Sequence, residues 1–308
     1  MTQHAVRVEG LTRRFGASVA VDGIAFTVAP GELFGLVGPD GAGKTTTLRM
    51  LAGVLRPSEG DAVLEGVSVA REPERVKHSI AYMSQRFGLY ADLTVLENLS
   101  FYADLYEVPR DERPGRLERL FRFSNLAPFR DRLAGQLSGG MKQKLGLSCA
   151  LIHQPRILLL DEPTLGVDPI SRRDLWLIVH EMVAEGVTVV VSTSYLDEAE
   201  RFDRVAFLHE GRIVALDTPA ALRGAAGGVI FAVAAADLRG ARDRLRRIAE
   251  VRRATVFGDR LHVVAGSADD GDRIARALTD EGMDGVEVRR IEPTLEDVFI
   301  DHVTAKAG

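Results

Sequence analysis

The stretch Gly38-Pro39-Asp40-Gly41-Ala42-Gly43-Lys44-Thr45 constrains this chain more than any other segment. It fits the spacing G-x-x-x-x-G-K-[ST], and the apolar run Leu33-Phe34-Gly35-Leu36-Val37 leads directly into it. That order predicts a buried strand, a tight glycine-rich loop and a helix opening near Lys44. Glycines let successive backbone N–H groups turn inward and form an anion cradle. The helix N-terminus adds the positive end of its dipole beneath bound phosphates. In such a loop Lys44 reaches the β- and γ-phosphates of a nucleoside triphosphate, and the Thr45 hydroxyl, followed by Thr46, is placed to ligate Mg²⁺. Gly38 to Thr46 are the candidate nucleotide-binding residues.

A chain of 308 residues has room for two domains, or for one large domain with an appendage. An apolar fraction of 46% with 27% charged residues is ordinary for a globular protein. The net charge of −5 gives no general reason to expect a nucleic-acid partner. The single cysteine, Cys149, excludes an intramolecular disulfide and suits a reducing cytoplasm. It lies among Leu147, Ala150 and Leu151 in a helical pattern, so a packed thiol is expected. Met1-Thr2-Gln3-His4-Ala5-Val6-Arg7 carries no signal-peptide pattern. No apolar run approaches the roughly 20 residues that cross a bilayer. The expectation is a protein that does not itself span a membrane, although it can sit against one through a partner.

Short strands are expected at Val6–Val8, Val19–Val21 and Ile24–Val28, separated by Gly10, Gly16 and Gly23. A helix is expected over Thr45–Leu55, closed by Pro57. Residues 101–151 are dominated by helical patterns with breaks at Pro109, Pro114 and Pro128. Ile157–Leu160 and Val187–Val191 are continuous apolar runs of strand length around a helix at Arg172–Ala184. Apolar strands alternating with helices argue for a largely parallel sheet covered on both faces. Val205–Leu208 and Arg212–Leu216, joined around Gly211, read as a closing hairpin. After an Ala- and Gly-rich boundary near Pro219–Gly228, the order becomes strand, helix, strand, strand, helix, strand, which is the ferredoxin-like pattern. A last helix is expected over Thr294–His302. The Arg-rich helix with Arg239, Arg242, Arg244, Arg246 and Arg247 also carries acidic residues and reads as a solvated face.

Ile157-Leu158-Leu159-Leu160-Asp161-Glu162 is an apolar strand ending in two carboxylates. At the C-terminal edge of a parallel sheet beside the phosphate loop, Asp161 is placed to hold Mg²⁺ and Glu162 to act as general base on a water. Upstream, Leu137-Ser138-Gly139-Gly140 opens a helix. Its hydroxyl, bare N–H groups and helix N-terminus suit a phosphate, although read alone it is also a helix cap.

With these motifs in this order and spacing, the chain resembles the ATP-binding subunits of ABC transporters over about residues 4–217. It is most similar to the ABC-2 type exporter subunits of the drug, polysaccharide or sodium efflux group that carry an appended C-terminal domain. The tail Glu292-Pro293-Thr294-Leu295-Glu296-Asp297-Val298-Phe299 resembles that group's ending. The resemblance implies an α/β P-loop ATPase with a mostly parallel sheet, an antiparallel β subdomain and a helical subdomain at about 86–150. Residues 1–220 would form the nucleotide-binding domain and residues 221–308 a small ferredoxin-like α+β domain. It further implies that Phe15, in Leu11-Thr12-Arg13-Arg14-Phe15-Gly16, stacks on adenine. Gln85 would sense Mg²⁺ and the attacking water, and residues 86–94 would touch the membrane partner. Asp168, in Gly166-Val167-Asp168, would reach across a dimer in which Ser138, Gly139 and Gly140 of one subunit close the ATP site of the other. ATP and Mg²⁺, a second ATPase subunit and a separately encoded transmembrane permease are the implied ligands and partners. The implied location is cytoplasmic, peripheral on the inner face of the cell membrane.

One position departs from the family. In Ser192-Thr193-Ser194-Tyr195-Leu196-Asp197-Glu198 the family places a histidine third, where it contacts the γ-phosphate; here it is Ser194. A hydroxyl donates a hydrogen bond but carries no charge, a change worth on the order of a hundredfold in rate. Three outcomes stay open: slower turnover, a weak site paired with a different ATPase subunit, or ATP used mainly as a switch. No histidine has a short metal-ligand spacing, and His180 and His209 read as structural or surface residues. Rival functions are a soluble ABC ATPase of translation or DNA repair, and an ATP-dependent regulatory module with incidental hydrolysis.

Overall fold

Alternating buried and exposed residues build a long hairpin from β1 (Val6–Phe15) and β2 (Ser18–Val28). The sequence reading divides this region into three strands; the structure runs two strands straight through Gly10 and Gly23. Both glycines take positive φ, 58° and 60°, at shifts in the pairing register, so they mark β-bulges and only Gly16 sits in the turn. These elements belong to a computed structural model that describes residues 4–85 and 88–304. It divides into two compact units, Met1–Leu216 and Asp217–Gly308.

In the first unit β3 (Leu33–Val37) is buried along its whole length and leads through the glycine-rich loop into α1 (Lys44–Leu51). The helix ends short of the expected Leu55 because the chain already turns at Gly53, with φ 65°, ahead of Pro57. Next, β4 (Glu59–Leu64) and β5 (Val67–Ser68) extend the hairpin into a sheet of order β2-β1-β4-β5. α2 (Pro73–Lys77) and β6 (Ile80–Met83) follow. The helical region comprises α3 (Val95–Leu105), α4 (Arg113–Ser124) and α5 (Gly139–Leu151), and Thr94 opens α3 with a capping box to Glu97. Then β7 (Ile157–Asp161), α6 (Pro169–Ala184), β8 (Thr188–Thr193), β9 (Arg204–His209) and β10 (Arg212–Asp217) complete the unit. The central sheet has the order β10-β9-β3-β8-β7-β6, and β9, β3, β8, β7 and β6 run parallel. Unbroken burial of β3, β7 and β8 is what a strand covered on both faces requires. Each fully buried Leu or Val there contributes about 1.5–3 kcal/mol through the hydrophobic effect. Cys149 lies in this core, and burial pushes its thiol up, away from the reactive thiolate.

Gly60 shows how tightly β1 and β4, neighbours in the sheet β2-β1-β4-β5, are drawn together. Its φ is 74°, and a Cβ there would collide with the backbone carbonyl of Gly10 in the β1 bulge. Gly60→Ala is therefore expected to cost about 2 kcal/mol, from strain and backbone overpacking together. Thermal unfolding checks this, and an unchanged midpoint would contradict it.

The second unit opens with α7 (Pro219–Gly224), capped by Thr218. It continues through β11 (Val229–Ala234), α8 (Leu238–Leu245), β12 (Val251–Phe257), β13 (Arg260–Ala265), α9 (Asp270–Asp280), β14 (Glu287–Ile291) and α10 (Leu295–Thr304). Its sheet has the order β12-β13-β11-β14, with antiparallel pairs throughout. Leu245, Ile274 and Leu278 from the helices close the core against Val233, Leu261 and Val263. Buried Asp297 ties α10 to β13, accepting from His262 Nδ1 at 2.9 Å and from the Thr294 hydroxyl at 2.7 Å.

Candidate nucleotide site

The glycine-rich loop leaves β3 at the C-terminal edge of the parallel sheet, where Gly38 N–H donates to Thr193 O at 3.3 Å. At the start of α1, Gly43 stands at φ 103° with no side-chain cap, so the first N–H groups of the helix keep their positive potential for a ligand. A Cβ on Gly43 would lie 2.5 Å from Ala20 O, so glycine is dictated both by conformation and by close approach of the hairpin. Gly38, too, has no room for a side chain against Leu208 O. Pro39, Asp40 and Gly41 are exposed at the lip, while Ala42 is buried beneath it.

Lys44 is only 5% exposed. Its ammonium donates to Gly38 O at 2.8 Å, Pro39 O at 3.1 Å and Ser194 Oγ at 2.9 Å, and it pairs with Glu162 at 3.1 Å. Ser194 thus occupies the meeting point of three charged groups. Its oxygen lies 2.8 Å from Glu162 Oε1 and 3.2 Å from Asp40 Oδ1. A hydroxyl has one proton, so it serves one carboxylate at a time, and the shorter contact favours Glu162. Glu162 itself is buried and held in the left-handed region at φ 49°, which a non-glycine residue adopts only when its surroundings impose it.

The metal-ligand candidates stand beside this cluster. Thr45 Oγ1 donates to Asp161 Oδ1 at 2.9 Å, which places two oxygen ligands together at the start of α1 and the end of β7. Among the described residues no group of three or more His, Cys, Asp or Glu could hold a metal. One hydroxyl and one carboxylate nevertheless fit Mg²⁺, which takes few protein ligands and completes its shell with substrate phosphates and water.

Two further partners of Asp161 escape a reading along the sequence. Ser192 Oγ donates to Asp161 Oδ1 at 2.7 Å and accepts from Glu162 N–H at 3.1 Å. Tyr82 on β6 donates to Asp161 Oδ2 at 3.1 Å. Burial and then the nearby Asp161 charge push the Tyr82 phenol up to about 12, so it remains a donor at neutral pH. The only sequence signal for either residue is its position at the end of an apolar strand.

The remaining predicted residues are set on other elements of the first unit. Phe15 is 49% exposed at the end of β1, with the Arg13 guanidinium 4.6 Å above its ring. Gln85 is exposed just beyond β6. Arg86 and Phe87, which begin the expected partner-facing stretch, lie outside the described residues, as do the first three residues of the N-terminal reading. Ser138 caps α5 by accepting from Met141 N–H at 3.3 Å, and Gly139 and Gly140 form its first turn. Asp168 caps α6, accepting from Ser171 N–H at 2.9 Å, and that backbone bond holds its carboxyl below the usual range. A Cβ on Gly140 would collide with Ser171, so the Ser-Gly-Gly turn and the Asp168 turn are immediate neighbours.

A glycine loop between a buried strand and a helix, with Lys44 among carboxylates at the parallel sheet's C-terminal edge, defines a P-loop nucleotide-binding domain. The ABC transporter family model matches residues 21–165. The chain is 42% identical over 306 residues to the probable multidrug ABC transporter ATP-binding protein YbhF of Escherichia coli, covering 98% of this chain and 52% of that protein. It is 34% identical over 310 residues to the daunorubicin resistance ATP-binding protein DrrA2 of Streptomyces coeruleorubidus, covering 97% and 95%. The Nod factor export ATP-binding protein I of Burkholderia pseudomallei is 34% identical over 302 residues, covering 97% of both chains. Among solved structures, an ATP-binding subunit of an ABC transporter aligns with a TM-score of 0.65 at 32% identity, over 71% of this chain and 92% of that one. A dimeric ATP-binding cassette in a post-hydrolysis state, bound to ADP and phosphate, aligns with a TM-score of 0.63 at 25% identity, over 69% and 98%. The chain belongs to the ATP-binding proteins of ABC transporters, a family whose cassettes are ATPases.

Proposed function

We propose that this chain is the ATP-binding and ATP-hydrolysing subunit of an ABC-type membrane exporter. The observation that carries the reading is the meeting of Lys44, Glu162 and Ser194 at the glycine loop, next to Thr45 and Asp161. In this reading Lys44 binds the β- and γ-phosphates, Thr45 and Asp161 hold Mg²⁺, and Glu162 takes the proton of the attacking water. The metal, when bound, neutralises charge on the phosphates. In the same reading Phe15 would stack on adenine, and Gln85 would sense Mg²⁺ and the attacking water.

Two subunits would meet head to tail, with Ser138–Gly140 and Asp168 of one completing the ATP site of the other. Because bound ATP supplies the charge that holds two anion cradles together, hydrolysis would release the clamp. The exporter role is supported by the printed roles of the relatives in multidrug transport, daunorubicin resistance and Nod factor export. Among the described residues no helix is long and apolar enough to cross a membrane; in this reading the translocation path belongs to a transmembrane permease that the chain energises. Against that permease the chain would sit peripherally, on the cytoplasmic face.

A second reading, an ATP switch with weak hydrolysis, is motivated by Ser194 standing where the family carries histidine. The two readings separate on turnover. Ser194→Ala is expected to lower Mg²⁺-dependent ATP turnover about tenfold, the worth of one hydrogen bond to a charged group. Ser194→His is expected to raise it, by up to a hundredfold or so. Wild-type turnover at background level, restored only by Ser194→His, would favour the switch.

A further inference from the structure

A buried carboxylate outside the nucleotide cluster ties its two most important loops together. Glu198, on the short 3₁₀ turn Glu198–Arg201, is 1% exposed. Its Oε1 accepts from the Thr164 hydroxyl at 2.7 Å and from the Trp176 indole N–H at 3.2 Å, and its Oε2 accepts from the Thr193 hydroxyl at 2.7 Å. The Arg172 guanidinium stands 3.6 Å away. A charge this deeply buried is tolerated only with such a complete set of donors.

The donors are not scattered. Thr164 follows Glu162 by two residues on the loop leaving β7, and Thr193, the last residue of β8, immediately precedes Ser194. Trp176, itself 1% exposed, sets the carboxylate on α6 and packs against Phe202 with ring centres 5.4 Å apart. Thr193 Oγ1 also accepts from Tyr195 N–H at 3.0 Å, so the backbone on both sides of Ser194 is pinned through this one hydroxyl. Strand pairing carries the two loops in register only as far as Asp161 opposite Ser192. Beyond that point Glu162 N–H still reaches Ser192 and the Ser194 hydroxyl reaches Glu162, and the Glu198 carboxylate adds a buried tie between Thr164 and Thr193 behind them. Glu162 needs such support, because its left-handed backbone is strained and has to be imposed from outside.

We infer that Glu198 is a positioning residue for ATP hydrolysis: by anchoring Thr164 and Thr193 it fixes the Glu162 carboxylate against the Ser194 hydroxyl. The inference rests on the roles of Glu162 and Ser194 proposed above. Glu198 has no direct contact with the ammonium of Lys44 in this arrangement and acts on geometry rather than on binding. Its loss should therefore show in turnover and not in ATP affinity, since misplacing a reacting group by a fraction of a bond length is felt only on the way to the transition state.

The test uses the full chain and measures three quantities: Mg²⁺-ATP turnover, ATP affinity by equilibrium binding, and thermal unfolding. Glu198→Gln keeps the shape and an acceptor for Thr164 and Trp176 but puts an amide donor opposite Thr193. Thr193→Val removes one link, and Thr193→Ser keeps it. Glu198→Gln and Thr193→Val are expected to lower kcat by about ten- to a hundredfold, with ATP affinity unchanged and Thr193→Ser at the wild-type rate. In a Ser194→Ala background, Thr193→Val should add little further loss, because the two changes interrupt one arrangement. Should Glu198→Gln fail to fold, the Thr193→Val and Thr193→Ser pair decides alone. Wild-type kcat in Glu198→Gln and Thr193→Val would overturn the inference. So would a loss of affinity and kcat that merely follows unfolding and is equally large in Thr193→Ser. Glu162→Gln run alongside separates the two levels. If it retains turnover, the reading of the site fails and the inference falls with it; if it is inactive while the Glu198 and Thr193 variants are fully active, only the inference fails.

Discussion

Lys44→Ala is expected to weaken ATP binding by about 3 kcal/mol, on the order of a hundredfold, and also to lower the thermal stability of the ATP-free chain. The first effect follows from charge. Lys44 is the only cation among the partners of Glu162, Ser194 and the loop carbonyls described here, and a triphosphate would need its ammonium more than any other group. The second follows from what the substitution leaves behind. Lys44 and Glu162 form a pair whose side chains are 5% and 9% exposed, and breaking a buried pair strands the remaining charge at a cost of about 3 kcal/mol. The Ser194 hydroxyl still reaches Glu162 and recovers part of that loss. Equilibrium ATP binding together with a melting curve measures both. Unchanged affinity would remove Lys44 from the phosphate site, whereas unchanged melting would mean that Glu162 is solvated once Lys44 is gone.

The opposite partner should behave in the opposite way. Glu162→Gln is expected to reduce turnover by about 10²–10⁴-fold, the range set by losing a general base, while ATP affinity holds or rises. The sign of the affinity change comes from the 3.1 Å ion pair: without nucleotide, Glu162 competes with phosphate for Lys44, and an amide competes far less. Binding without hydrolysis should also trap the proposed clamp, so the variant is expected to run as a dimer with Mg²⁺-ATP and as a monomer with ADP. Size-exclusion chromatography coupled to light scattering reads this directly. A monomer at saturating ATP would count against head-to-tail closure, and wild-type turnover would remove Glu162 from the role of base.

Much of the sheet was legible because its signals are local. Burial on both faces makes Ile157–Leu160 an unbroken apolar run and Val187–Val191 one interrupted only by Thr188, and these runs supply most of β7 and β8. The region of Gly10 and Gly23 misled the reading for a physical reason. A glycine at positive φ ends a strand in one context and makes a bulge within it in another, and only the pairing partner across the ladder distinguishes the two. The end of α1 at Leu51 was equally hidden, since Gly53 rather than the more conspicuous Pro57 turns the chain.

Around the nucleotide cluster the division between sequence and structure follows distance along the chain. The glycine loop, Lys44 and Thr45 are neighbours in sequence, and so are Asp161 and Glu162. Their spacing alone dictates a concave row of N–H groups, a cation and a pair of carboxylates, hence the kind of ligand the chain suits. Which of these groups touch one another is a different matter. Lys44 meets Ser194 across 150 positions and Asp161 meets Ser192 across 31, and Glu198 gathers Thr164, Trp176 and Thr193 from three separate elements. Those meetings depend on the register of parallel strands, which is set by burying apolar faces throughout the sheet. Since the hydrophobic effect is non-directional, no local pattern near Ser194 or Glu198 encodes the neighbour that the packed sheet delivers.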